Sequence, residues 1–225
     1  VKDKKLIDIN ADFDDNPDTN FILGKIRLKE SKNLKDVDYA IECFNKAIDN
    51  PESLYELSLI YRNIKFDFYK SLEYTIQAAN KGHDLAIEDK LYFESKEIIA
   101  ILDENPIAEY NLAKGYLDGD KNIIYNVDIS QKELLEIAIK WFKKSYKHGY
   151  VDALGEIGAI ELRHPEIVEN KNSIISALTK LTKASEEGSK EATKMIEHFK
   201  ALKIYDVLNQ DAESEYNLYK ILTKN

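Results

Sequence analysis

Cysteine, proline, glycine and long apolar runs are all scarce in this chain, and each scarcity excludes something. Cys43 is the only cysteine, so no internal disulfide framework staples the fold. A lone thiol leaves the compartment open between cytosol and periplasm, with the cytosol favoured. No apolar run reaches the roughly eighteen residues that cross a bilayer, so no membrane span is expected. No signal-peptide pattern follows Val1. Basic charge is also in deficit: 32 Lys and Arg face 41 Asp and Glu, a net charge of -9. A dedicated nucleic-acid binder needs a basic footprint to displace phosphate counterions, so the expected partner is another protein, and a basic one. Glycine-rich phosphate loops and nucleophile elbows are missing, which leaves no expected cofactor.

What the chain does contain is helix. Apolar residues make up 44%, with only eight glycines and four prolines, the composition of an ordered helical protein. From Pro17 onward the apolar spacing is that of about a dozen helices, with no stretch patterned as a strand. Asn16-Pro17, Asn50-Pro51 and Asn105-Pro106 read as helix starts: asparagine accepts from an orphan amide, and proline at the next position surrenders an amide that had no partner. Gly82, Gly149 and Gly188 read as helix ends, where a left-handed residue closes the last turn. Residues 1–16 read as an N-terminal arm. Its Asp12, Asp14 and Asn16 have the opening spacing of a calcium loop, but Pro17 and Leu23 stand where the turn glycine and the bidentate glutamate belong, so no calcium site is expected.

One template recurs. Ala138-Ile-Lys-Trp141-Phe142-Lys-Lys-Ser145-Tyr146-Lys-His-Gly149 aligns without gaps on the blocks that close at Pro51, Gly82 and Gly188. The closing positions are 31, 67 and 39 residues apart, the range of helical-hairpin repeats or a double unit, with 83–105 as a degenerate unit filling the double interval. At 100° per residue, Leu134, Ala138, Trp141 and Ser145 form one stripe, and Leu135, Ile139, Phe142 and Tyr146 form a second. Two apolar stripes require two packing partners, as in a stack of hairpins. The first helix of the unit is clearest in Ala108-x-x-x-Leu112-Ala113-x-x-Tyr116-x-x-Gly119, and Ala153-x-x-x-Ile157-Gly158 repeats its first half.

These residues resemble the Sel-one-like repeat (SLR) family, relatives of the tetratricopeptide repeat. Ala108, Leu112, Tyr116, Gly119, Ala138, Trp141, Phe142, Lys144 and Gly149 match its pattern, and Gly82-His83 supplies its Gly-His ending. The resemblance implies an all-α fold, a right-handed α-solenoid of stacked antiparallel hairpins, with repeats over 17–202 and capping helices at 203–225. The Gly119–Ser130 loop is longer than the family's tip, and the paired cysteines of some secreted members are absent.

Candidate chemistry is sparse. His83, His148, His164 and His198 have no ligand spacing and read as structural or surface residues; Glu161-Leu-Arg-His164 is half of a di-iron signature without its second copy. Cys43 replaces the template tryptophan and is expected to be buried and inert. No catalytic, cofactor or metal residue is therefore expected, and the chain reads as a non-enzymatic repeat protein. Tyr55, Tyr61 and Tyr110 lie on first helices, which line the concave side in this family, and tyrosine carries interface energy at low entropic cost. Ile123, Ile124 and Tyr125 in the long tip loop are the other partner-binding candidates. The resemblance implies a bacterial adaptor in signalling or envelope systems, or an immunity protein that neutralises a toxin. The alternatives are a hydrolase of cell-wall fragments or β-lactams, and RNA binding through Lys140, Lys143, Lys144 and Lys147.

Overall fold

The computed structural model is described over residues 16–124, 129–164, 167 and 173–202. Among these residues every regular element is helical: α1 (Pro17–Lys29), α2 (Leu34–Lys46), α3 (Pro51–Asn63), α4 (Phe68–Asn80), α5 (Asp84–Ser95), α6 (Pro106–Leu117), α7 (Gln131–Lys147), α8 (Asp152–Arg163), α9 (Ser173–Glu186) and α10 (Lys190–Ala201). The arm preceding Asn16, Tyr125 and the segment 203–225 lie outside the described residues.

The predicted starts and stops are where the helices begin and end. Asn16, Asn50 and Asn105 each accept a backbone N–H two residues on, at 2.8, 2.9 and 2.9 Å, and the proline follows in the first turn. At the C-terminal ends, Gly82, Gly149 and Gly188 take φ of 87°, 101° and 106°. That left-handed residue lets the next amide reach back to the last turn: His83 N to Ala78 O at 3.1 Å, Tyr150 N to Ser145 O at 3.0 Å, Ser189 N to Ala184 O at 2.8 Å. The described helices number ten rather than about a dozen. The degenerate unit keeps its first helix, α5, but its second shrinks to a 3-10 turn, Ile99–Asp103, bracketed by Glu97 and Glu104 at φ 55° and 54°.

Two compact units form, one from residues 16–99 with 121–124, the other from 100–120 and 129 onward. In the first, α1 pairs with α2 and α3 with α4 as antiparallel hairpins. Phe44 of α2 lies across α1 at Gly24, where a Cβ would stand 2.8 Å from the ring. Val37, Ala40, Ile41, Phe44, Leu57 and Ile60 form the core between them. First helices also meet first helices: Lys25 of α1 pairs with Glu56 of α3 at 3.1 Å, and Tyr55 of α3 reaches Asp89 of α5 at 3.3 Å. Second helices meet second helices, with the Tyr74 hydroxyl donating to Asn45 at 3.4 Å. This alternation is the layering of stacked hairpins. Cys43 is fully buried in α2, and burial pushes its thiol pKa up, which removes the reactive thiolate.

The second unit repeats the arrangement with α6/α7, α8/α9 and α10. Ala138, Trp141, Phe142 and Ser145 are buried, Trp141 at 5% exposure, so the tryptophan is core as its stripe requires. Ser145 Oγ donates to Pro106 O at 2.6 Å, a small polar residue tying the end of α7 to the start of α6. Beside it the fully buried carboxylate of Glu109 meets His148 Nδ1 at 2.8 Å. Gly158 allows the close crossing of α8 and α9, since a Cβ there would lie 2.8 Å from Ala177 O and 2.9 Å from Leu181 Cγ.

Candidate protein-docking face

The first-helix tyrosines occupy equivalent positions. Tyr55 and Tyr61 of α3 correspond to Tyr110 and Tyr116 of α6, and α5 corresponds to α8 by the same 67-residue interval that separates Gly82 from Gly149. The structure gives the equivalence chemical content. Tyr55 stacks on His83 at 4.3 Å and donates to Asp89; 67 residues later, Tyr150 and Glu156 replace His83 and Asp89. There Tyr110 packs edge-on against Tyr150 at 4.9 Å and donates to Glu156 Oε1 at 3.0 Å. Each unit thus carries one copy of a device in which a tyrosine on one first helix is held by a carboxylate and a ring from the next.

The first copy is closed. Arg62 of α3 has a side chain with 0% exposure and meets Asp89 Oδ2 at 2.7 Å. Its other N–H groups donate to Ser71 Oγ at 3.3 Å, Thr75 Oγ1 at 3.4 Å and Asn122 O at 3.1 Å, and its plane lies 5.0 Å over Phe93. Ser71 and Thr75 stand where α7 has Ala138 and Phe142, so two core positions have become polar to suit the guanidinium. Tyr55 is only 6% exposed as a result. Its ring and hydroxyl are taken up by contacts within the fold. Ile123 is likewise docked, at 1% exposure, held beside the Arg62–Asn122 bond, whereas Ile124 is half-buried. Tyr61 is half-buried and stacked on Tyr74 at 5.6 Å with Lys70 over its ring.

The second copy is open. Leu117 replaces Arg62, and the only cation at Glu156 among the described residues is Lys114, 3.5 Å away. Lys114 and Glu156 are 35% and 23% exposed, so carboxylate, ammonium and tyrosine ring all reach solvent. Burial raises the Tyr110 hydroxyl pKa, and the Glu156 charge and hydrogen bond raise it further, keeping the phenol a donor. Tyr150 is raised in the same way by burial and by Asp152. The result is a half-buried aromatic and acidic surface on α6, α8 and the turn that leads into α8: Tyr110, Tyr150, Asp152 and Glu156, with Lys114 at one side. Such a surface offers ring faces for cation–π contact and carboxylate oxygens for guanidinium or ammonium donors. Of its members only Tyr110 stood out in the sequence. The signal for Tyr150 and Glu156 was the 67-residue interval, carried past the glycine into the next helix.

No family model and no curated protein matches the chain. Among solved structures, a Sel1 repeat protein from Oxalobacter formigenes is 19% identical over 94% of this chain and 74% of that one, with a TM-score of 0.36. A protective antigen of uropathogenic Escherichia coli with an SLR fold is 15% identical over 92% of this chain and 57% of that one, with a TM-score of 0.29. Both neighbours are Sel1-like repeat proteins. At these identities and TM-scores the likeness assigns no residue a role, and the architecture rests on the hairpins and their repeated contacts.

Proposed function

We propose that this chain is a non-catalytic helical repeat protein that binds a basic segment of another protein on the α6–α8 face. The observation that carries the proposal is the open second copy: Glu156 holds Tyr110 at 3.0 Å yet has only a half-exposed lysine at 3.5 Å where its counterpart has a buried arginine. A partner arginine entering beside Lys114 finds carboxylates and two ring faces already positioned, so little side-chain entropy is lost on binding. Net charge -9 steers a basic partner toward the chain from a distance. In biological terms this fits a bacterial adaptor, or an immunity protein that masks a basic toxin domain.

The test is affinity capture with the full chain, wild type beside Glu156→Lys. The wild type should retain a basic protein stoichiometrically, and the variant should bind that protein at least about tenfold more weakly. Equal capture by both would overturn the assignment of the face. A toxin encoded beside the gene and neutralised by the wild type alone would support the immunity version.

A further inference from the structure

We infer that the outer face of α7 is a second docking surface, for an acidic amphipathic segment of a partner protein. Lys140, Lys143, Lys144 and Lys147 sit at i, i+3, i+4 and i+7, one stripe on the side of the helix opposite Ala138 and Phe142. The repeat itself supplies the control. At the four equivalent positions the other second helices carry Glu42, Asn45, Lys46 and Asp49; Glu73, Ile76, Gln77 and Asn80; Thr179, Thr182, Lys183 and Glu186. The fold therefore asks for a lysine only at the position of Lys144, which matches the template and lies 4.8 Å over the Trp141 ring. The other three are additions, and Lys140, Lys143 and Lys147 enter no ion pair among the described residues. Three ammonium groups, Lys140, Lys143 and Lys147, with no ion pair among the described residues and with Lys144 beside them, form a focused site for anionic groups in a chain with 41 acidic residues.

The shape of the stripe selects among anions. With Glu136 and Ile139 the lysines line a shallow groove of about 310 Å³. Ile139 and the lysine stems make its floor apolar while the ammonium groups stand at the rim. The stripe runs over two helical turns, about 10 Å, which is too short a track for extended nucleic acid on a chain of net charge -9. An apolar floor under a short cationic rim fits a helix that presents leucine-type side chains between carboxylates. This surface shares no residue with the Tyr110–Glu156 face, so either can fail without the other.

The experiment uses the full chain and a fluorescein-labelled helical peptide with Glu at i, i+3, i+4 and i+7 and Leu between them. Oligouridine RNA of equal charge and phosphatidylserine vesicles are titrated in parallel. Saturable peptide binding that weakens with salt is expected, reduced at least about tenfold by the triple variant Lys140→Glu, Lys143→Glu, Lys147→Glu, whose solvent-facing positions leave the far-UV spectrum unchanged. No saturable binding to wild type, equal binding to the triple variant, or binding of RNA or vesicles at least as tight as the peptide would each overturn the inference.

Discussion

Arg62 is the most consequential single side chain in the first unit, and its removal gives the sharpest test of how that unit is built. The guanidinium is fully buried and joins α3 to α4 through Ser71 and Thr75, to α5 through Asp89, and to the tip loop through Asn122 O. Arg62→Ala removes a buried charge and leaves Asp89, 14% exposed, with the Tyr55 hydroxyl as its remaining contact from α3. Breaking a buried pair from one side costs about 3–5 kcal/mol, and the small exposure of Asp89 places the expected loss near the lower end, about 3 kcal/mol. Lost guanidinium stacking on the Phe93 ring adds to it. The control is Lys25→Ala, which breaks an ion pair of similar length, 3.1 Å, but with the lysine 53% exposed; it should cost under about 1 kcal/mol. Urea unfolding followed by far-UV circular dichroism measures both, and hydrogen exchange should show α3 to α5 losing protection in the arginine variant alone. If Arg62→Ala cost no more than Lys25→Ala, Arg62 would not be the hub. The pair Arg62→Met with Asp89→Leu, which removes both charges, should recover most of the loss, because a buried ion pair contributes little over an apolar pair of similar volume.

Two further outcomes follow from the second unit. Gly158→Ala places a methyl 2.8 Å from the Ala177 carbonyl and should cost about 1–3 kcal/mol by forcing α8 and α9 apart, seen as a lower urea midpoint; an unchanged midpoint would refute the close crossing. The raised Tyr110 pKa makes a contribution that is fully present below the unfolded value near 10 and is lost as pH rises from there toward the folded value. Wild type should therefore lose urea resistance above about pH 10 more steeply than Tyr110→Phe, and parallel pH profiles would show that the Glu156 contact does not hold the phenol in its protonated form.

Much of this was legible before any coordinates, and the limits have physical reasons. Helix ends are local events: Asn-Pro and the closing glycines act on their own backbone, so Asn50, Asn105, Gly82 and Gly149 announced the boundaries. The burial of Cys43 and Trp141 followed from their shared template position. The burial of Tyr55 is not legible in its own segment because it depends on a helix some thirty residues away: α5 brings His83 and Asp89 over it, and neither residue marks a packing partner in its own segment. The 3-10 turn at Ile99–Asp103 was also hidden, since its apolar residues fit a short helix equally well.

The comparison of the two copies then changes what a repeated tyrosine means. Where Arg62 is present, Ser71 and Thr75 accompany it, and the carboxylate of Asp89 is satisfied from within; the tyrosine becomes core. Where Leu117 stands instead, Ala138 and Phe142 restore an apolar interior, and Glu156 is left facing outward with a partly exposed lysine. An internal arginine and an external one are alternative ways to neutralise the same carboxylate. The first unit contains its own, and the second leaves room for an arginine from outside, which is why we propose binding at Tyr110 and Glu156 rather than at Tyr55 and Asp89.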